Sequence, residues 1–305
     1  MTTDVLPAPD GHAIFLHRWL APGECRGTVL WLHGMAEHGA RYAPLADALN
    51  ANGWNLYCPD HRGHGGSVRD ESLRGHFADQ DGWQKVLDDV AVLAADIRDR
   101  HPGRPLILAG HSMGSFIALA SAEQWPDSFD GLILCGSDYK PSWLWRLTLL
   151  PVKLERWRCG PRGHSALIKA LSFDAFARQI RGRRTEFDWL SRDAEQVDRY
   201  IAAPWCGHDC STQLWHDLIG AMVTVDGNKA LRQLPARLPV MLIGGDSDPM
   251  SGNGKGMPAL YRALHRAGIA DLALGLFSDG RHEILNDLCR EAVHEDLLGW
   301  LAERF

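Results

Sequence analysis

An α/β architecture with a mostly parallel central sheet flanked by helices is the fold class this sequence predicts, and three observations predict it. Short apolar runs alternate with segments of helical period along the 305 residues. One run ends in a glycine-flanked serine, Gly110-His111-Ser112-Met113-Gly114, which opens directly onto a small-residue helix. From about Ser137 to Asp226 the alternation lapses, and no buried parallel strand is legible there.

The strands expected are 13–19, 28–33, 55–58, 106–110, 131–135, 240–244 and 272–277. Each is a short, largely apolar run with turn-forming residues nearby. Helices are expected at 43–51, 82–100, 114–124, 256–267 and 287–303, where apolar residues recur at helical spacing. The order is β-rich at first and βαβα afterwards. The chain then divides into residues 1–136 as the first part of a core, 137–226 as a cap or lid inserted over the sheet, and 227–305 as the second part of the core. Six of the twelve tryptophans fall in that insertion, together with the basic cluster Arg181-Gly182-Arg183-Arg184.

With 45% hydrophobic and 23% charged residues, the composition is that of a globular protein able to bury a large core. A formal net charge of −6 provides no field that would draw in nucleic acid or an anionic membrane, so no nucleic-acid partner is expected. Seven cysteines make an odd number without framework spacing and read as free thiols of a reducing compartment. The first residues lack a basic start followed by an apolar run, so no signal peptide is expected. The stretch 143–154 is broken by Arg146, Pro151 and Lys153 and is too short to span a bilayer. A cytoplasmic location is the resulting expectation.

The chemistry starts at Ser112. A turn this sharp leaves no room for a Cβ on either side, and it lifts the serine hydroxyl above the sheet edge as a nucleophile. A serine hydroxyl needs a base, and the base needs a carboxylate to orient it; behind such an elbow the chain order is serine, acid, histidine. Three histidines lie late enough, His265, His282 and His294. The first and last fall in helical patterns, whereas His282 lies in a loop after the final strand, where it can reach the sheet edge. The loop after strand 240–244 offers Asp246 and Asp248. Spacing alone does not separate them. Asp248 is preferred because it lies further along the turn and is restrained by Pro249, while Asp246 is the alternative, with a competing role in bonding turn amides. Backbone amides must meet the oxyanion, and Met113, after the serine, and Met35, in the loop His33 to Gly39, are placed to do so.

Taken in order, His33-Gly34-Met35-Ala36-Glu37-His38, Asp60-His61-Arg62-Gly63-His64-Gly65-Gly66-Ser67, the serine elbow, Asp246-Ser247-Asp248-Pro249 and Arg281-His282-Glu283 resemble the monoacylglycerol lipase and lysophospholipase group of α/β-hydrolases. The resemblance implies the α/β-hydrolase fold with a helical cap, and a triad of Ser112, Asp248 and His282. It also implies an oxyanion hole from the Met35 and Met113 N–H groups and a lipid-like ester as substrate. Asp60 to Ser67 matches a structural turn beside the site, and Phe187 to Asp193 matches a cap segment of bacterial members. A monoacylglycerol lipase is the leading expectation. A lysophospholipase or general carboxylesterase is the alternative, and a non-catalytic ligand-binding protein on the same scaffold is the reading from another class. An aminopeptidase of similar fold would use Glu37, Glu186 and Asp188 to hold an amino terminus.

In the cap, Trp143, Trp145, Leu147 and Leu150 are read as lining an acyl pocket or touching a membrane or micelle transiently. Arg183 and Arg184 are candidates for meeting a phosphate. Neither His61, His64, Asp60 and His76 nor Cys206, His208, Asp209, Cys210 and His216 completes a metal-ligand pattern. The first group is read as a turn and the second as free thiols or helix caps. No metal or organic cofactor is expected.

Overall fold

The strands β1 (Thr2–Pro7), β2 (Ala13–Trp19), β3 (Gly27–Leu32), β4 (Trp54–Pro59), β5 (Leu106–His111), β6 (Gly131–Cys135), β7 (Val240–Gly245) and β8 (Leu272–Phe277) form one sheet in a computed structural model that describes residues 1–225 and 227–305. Its order is β1-β2-β4-β3-β5-β6-β7-β8. The first two pairings, β1 with β2 and β2 with β4, are antiparallel, and every other pairing is parallel. The mostly parallel sheet expected from the alternation is therefore present.

Parallel strands are buried on both faces, and the alternation within each run sorts its side chains between two cores. Leu30, Leu32, Leu106, Leu108, Leu132 and Leu134 point into one core, and Val29, Trp31, Ile107, Ala109 and Ile133 into the other. The first core is covered by α2 (Gly82–Arg100), α3 (Met113–Gln124) and α10 (Gly256–Ala267), and the second by α1 (Ala43–Ala51) and α11 (Arg290–Arg304). Val86, Val90, Leu93 and Ile97 put the apolar stripe of α2 on the sheet at helical spacing. Gly268, at φ +108°, closes α10 in the left-handed conformation that suits glycine.

Strand β1 was not legible in the sequence. It is an edge strand with Leu6 alone buried, so it lacks an apolar run and takes its order from pairing with β2.

Between β6 and β7 lie α4 (Ser142–Cys159), α5 (Ala166–Leu171), α6 (Phe173–Gln179), α7 (Ala194–Ala202) and α8 (Thr212–Val225), with the short α9 (Asn228–Leu231) before β7. The expected end of the insertion, Asp226, lies outside the described residues. Helix α4 packs on α8, and α8 in turn packs on α2 and α3, with Leu214, Leu218 and Met222 inside the first core. The inserted helices are thus anchored through α8. Phe173, Phe176, Trp189, Leu190 and Tyr200 make a small apolar cluster of their own.

Candidate active site

Ser112 sits where β5 turns into α3, at φ +52° and ψ −120°, a conformation that costs energy for any residue with a Cβ. The glycines around it are required by contact. A Cβ on Gly110 would stand 2.2 Å from the Gly114 carbonyl oxygen, and one on Gly114 would stand 2.1 Å from that of Leu32. The Ser112 amide donates to the Cys135 carbonyl at 2.9 Å, fixing the turn to β6. The next amide, Met113, is the first of α3 and has no carbonyl within its own helix to reach.

The loops after β7 and β8 press together so closely that a Cβ on Gly245 would fall 1.9 Å from the Gly280 carbonyl oxygen. This contact brings Asp248 to His282. The His282 Nδ1–H donates to Asp248 Oδ2 at 3.0 Å, and the other carboxylate oxygen accepts from the Met250 amide at 2.8 Å. Both side chains are buried. Asp246 instead faces solvent and accepts from the Asp279 amide at 2.7 Å, tying the two loops at their rim. Of the two candidates left open by the sequence, Asp248 is the one that meets the imidazole. His265 and His294 lie on α10 and α11.

The loop after β3 approaches from the other side. A Cβ on Gly34 would stand 2.8 Å from Glu37 Oε1 and 3.1 Å from His111 Nδ1, so glycine lets the loop pack against these two side chains beside the serine. Glu37 Oε1 accepts the Gly34 amide at 2.6 Å, and Met35, whose amide comes next in the chain, lines the space at Ser112. Ala36 is held at φ +55° and buried; its carbonyl accepts from the Gly207 amide and the Tyr200 hydroxyl, both at 2.9 Å. Arg41 ties this loop to the histidine loop, with Nη1 2.5 Å from Glu37 and Nη2 2.6 Å from Glu283.

His111 and Trp189 both pack against the His282 ring, and sequence reasoning assigned neither of them that part. The His111 ring lies 4.7 Å from that of His282, and the Trp189 ring stacks on His282 at 5.0 Å and 30°. His111 Nδ1 faces Glu37 Oε1 and Nε2 faces the His282 carbonyl, each at 3.2 Å. Both partners accept only, so the doubly protonated ring satisfies both. Burial opposes that charge, but Glu37 overrides it and raises the His111 pKa. The segment carrying Trp189 leaves the cap and runs along the histidine loop, where the Glu283 amide donates to the Leu190 carbonyl at 2.7 Å. Within Phe187 to Asp193 only the aromatic and charged pattern hinted at such a role.

Two cavities meet at Ser112. One, of about 300 Å³, is apolar and is lined by Phe116, Trp145, Trp215, Leu218, Ile219 and Met250. The other, of about 340 Å³, is the more polar of the two, and Lys169, Glu186, His208 and Asp209 are among the residues that line it. Met35, Ser112, Phe173 and Trp189 line both. Trp145, one of the four cap residues expected to line an acyl pocket, lines the apolar cavity. Trp143, Leu147 and Leu150 are exposed and line neither cavity, because on α4 they share the face opposite Trp145. Arg183 and Arg184 are engaged elsewhere: Arg183 with the Ala177 carbonyl at 3.1 Å, and Arg184 with Asp198 at 2.7 Å.

The family model for serine aminopeptidase, S33, matches residues 23–289. The chain is 27% identical to a monoacylglycerol lipase of Mycolicibacterium smegmatis over 93% of this chain and 90% of that one. It is 26% identical to the mouse monoglyceride lipase over 97% of this chain and 88% of that one. Among solved structures, a thermostable carboxyl esterase from Bacillus coagulans has the same fold, at a TM-score of 0.91 and 23% identity over 99% of this chain and 98% of that one.

Proposed function

This chain belongs to the serine aminopeptidase S33 family of α/β-hydrolases and is an ester-hydrolysing enzyme, and from that premise we propose that its substrate is a monoacylglycerol. Ser112 attacks the acyl carbonyl and His282, through Nε2, takes the proton. Asp248 keeps the other imidazole nitrogen protonated and stabilises the charge that forms. The Met35 and Met113 amides receive the oxyanion. The alcohol leaves with the proton from His282, and a water repeats the sequence to release the fatty acid.

The observation that carries the substrate is the unlike character of the two cavities at Ser112. The apolar one suits an acyl chain, and a void of about 80 Å³ beside Pro151, Val152 and Ile168 shares Thr148, Leu171 and Trp215 with it, extending its reach. The polar one suits a small uncharged alcohol. Its lysine, Lys169, is already paired with Asp174 at 2.6 Å and Glu186 at 2.9 Å, and Asp209 adds a further carboxylate. A phosphate-bearing head group would meet no free positive charge from Lys169 there. The relatives named monoacylglycerol lipase point the same way. The carboxylates that an aminopeptidase would need are engaged: Glu37 by Arg41 and Tyr42, Glu186 by Lys169, and Asp188 by Thr185 and the Arg184 amide.

Comparing kcat/KM for a monoacylglycerol and for lysophosphatidylcholine on one preparation tests this directly. The monoacylglycerol is expected to be preferred, and a preference for the lysophospholipid overturns the assignment.

The outer face of α4 carries Trp143, Leu147, Leu150, Leu154 and Trp157, the last 82% exposed, and the neighbouring α5 adds Leu171. That face is the contact through which the cap would rest on a membrane or micelle while substrate enters. No helix among the described residues is long and apolar enough to cross a membrane.

A further inference from the structure

Two histidine-rich segments that the esterase chemistry leaves unused converge at the seam between core and cap. His64, from the turn after β4, meets His208 and Cys210, from the segment between α7 and α8, and one ligand atom from each lies within 4.8 Å of the others. The His64 and His208 rings are 5.2 Å apart.

The state of each group suits a metal. His64 Nδ1 faces the Arg62 carbonyl at 2.9 Å, and a carbonyl only accepts, so the proton is on Nδ1 and Nε2 presents a bare lone pair. That Nε2 is buried and has no hydrogen-bond partner among the described residues. A backbone carbonyl on the far nitrogen is the arrangement by which proteins orient a metal-binding imidazole. Among the described residues neither ring nitrogen of His208 meets hydrogen-bond geometry, although the backbone of Trp205 stands near enough to one of them to interact with it. Cys210 is buried, with a free thiol.

A second group, His17, His38 and Asp60, is equally close. Its carboxylate is already occupied by the Gly39 and Gly66 amides and by His17, so it reads as a satisfied turn.

We infer that His64, His208 and Cys210 form a binding site for a single zinc ion, which fastens the cap to the core. Two imidazoles and a thiolate are a zinc donor set, whereas hard cations such as magnesium prefer carboxylate and carbonyl oxygens over these three side chains. With ordinary zinc bond lengths, nitrogen and sulfur ligands of a tetrahedral site lie roughly 3.3–3.6 Å apart, so atoms within 4.8 Å of one another need to close by at most about 1.5 Å. The fourth position falls to a water, since His208 also lines the polar cavity. On binding, Cys210 gives its proton to solvent and its sulfur lone pair to the metal. The Cys210 thiol also meets the backbone of Ala36, so the ion lies one residue from the Met35 amide.

The test uses the full chain after chelator treatment, titrated with Zn²⁺ and separately with Co²⁺. One Zn²⁺ per chain, a rise in Tm, about one proton released, and a sulfur-to-cobalt charge-transfer band in the near ultraviolet are expected. The band and the Tm rise should vanish in Cys210→Ser and persist in Cys206→Ser. His208→Gln, at a half-buried position, should weaken Zn²⁺ binding by at least about tenfold and serves where Cys210→Ser does not fold. Absence of the band in the wild type, its survival in Cys210→Ser, its loss in Cys206→Ser, or unchanged affinity in His208→Gln overturns the site.

Discussion

The carboxyl edge of the sheet and the cap both contribute walls to the same two cavities, yet they are built on opposite terms. At the sheet edge Gly110, Gly114 and Gly245 sit against carbonyl oxygens at distances that admit no Cβ, and Ser112 and Ala36 are held at positive φ. In the cap Gly220, on α8, has open space around it, and α4 turns a row of tryptophan and leucine side chains to solvent. Close contact fixes the chemistry to a fraction of an ångström, whereas loose, exposed packing allows the cap to set what reaches it. The difference teaches that substitutions at the edge should act on kcat or on folding, and substitutions in the cap on substrate choice.

The largest effect that would sharpen this contrast is at the edge itself. Ser112→Ala should abolish fluorophosphonate labelling and lower kcat by roughly 10⁶-fold. Asp248→Asn should cost about 10⁴-fold in kcat, because the imidazole loses the partner that fixes its tautomer. Asp246→Asn should cost far less, since its carboxylate bonds a loop amide and not the ring. Equal losses in the two Asn variants, measured as kcat on a soluble ester, would break the assignment.

Next come the glycines, where the sign itself should differ between regions. Gly114→Ala forces a side chain onto the Leu32 carbonyl and should leave little soluble, folded protein. Gly220→Ala, inside a helix with nothing to strike, should stabilise by about 1 kcal/mol, read as a higher Tm. A tolerated Gly114→Ala would show that the elbow is looser than the contact distances state.

Within the cap, α4 should divide by face. Trp145→Ala is expected to lower kcat/KM for long-chain monoesters by about 10- to 100-fold while changing short-chain turnover little. Trp157→Ala should leave soluble substrates untouched and reduce only binding to lipid vesicles. A uniform effect across chain lengths in Trp145→Ala would remove it from the acyl pocket.

The seam between the regions is tested by pH dependence. Burial pushes His61, on the core side, and His208, on the cap side, down to about 3 from 6.5. A depressed folded pKa contributes stability that is complete above the unfolded value and is lost as protons bind the unfolded chain first. Their contribution is therefore whole above pH 6.5 and drains away toward pH 3. His111 runs the other way: its pKa is raised, so its contribution is full below the unfolded value and fades as pH rises through the folded one. Calorimetric Tm against pH should fall on the acid side from about 6.5, and that fall should be shallower in His208→Gln.

Much of this was readable in the chain itself, and the reason is local. Runs such as Leu106 to Gly110 and Val240 to Gly244 carry their burial in consecutive residues, so strand, order and elbow follow from short windows of sequence. Strand β1 escaped because an edge strand takes its order from its neighbour. The side chains Ser112, Asp248 and His282 were nameable because the class of elbow dictates their order along the chain. Asp248 was preferred over Asp246 from its place before Pro249, and the contact between Gly245 and Gly280, which no window of sequence contains, is what brings it to the imidazole. The same holds for His111 and Trp189 against His282, for the face of α4 that carries Trp145, and for His64 beside His208 and Cys210. Sequence by itself determined the elements and the kind of chemistry, because both depend on residues that are neighbours in the chain. Tertiary structure decided which carboxylate, which aromatic face and which imidazoles meet, because those pairings join residues dozens to more than a hundred positions apart through the packing of separate loops.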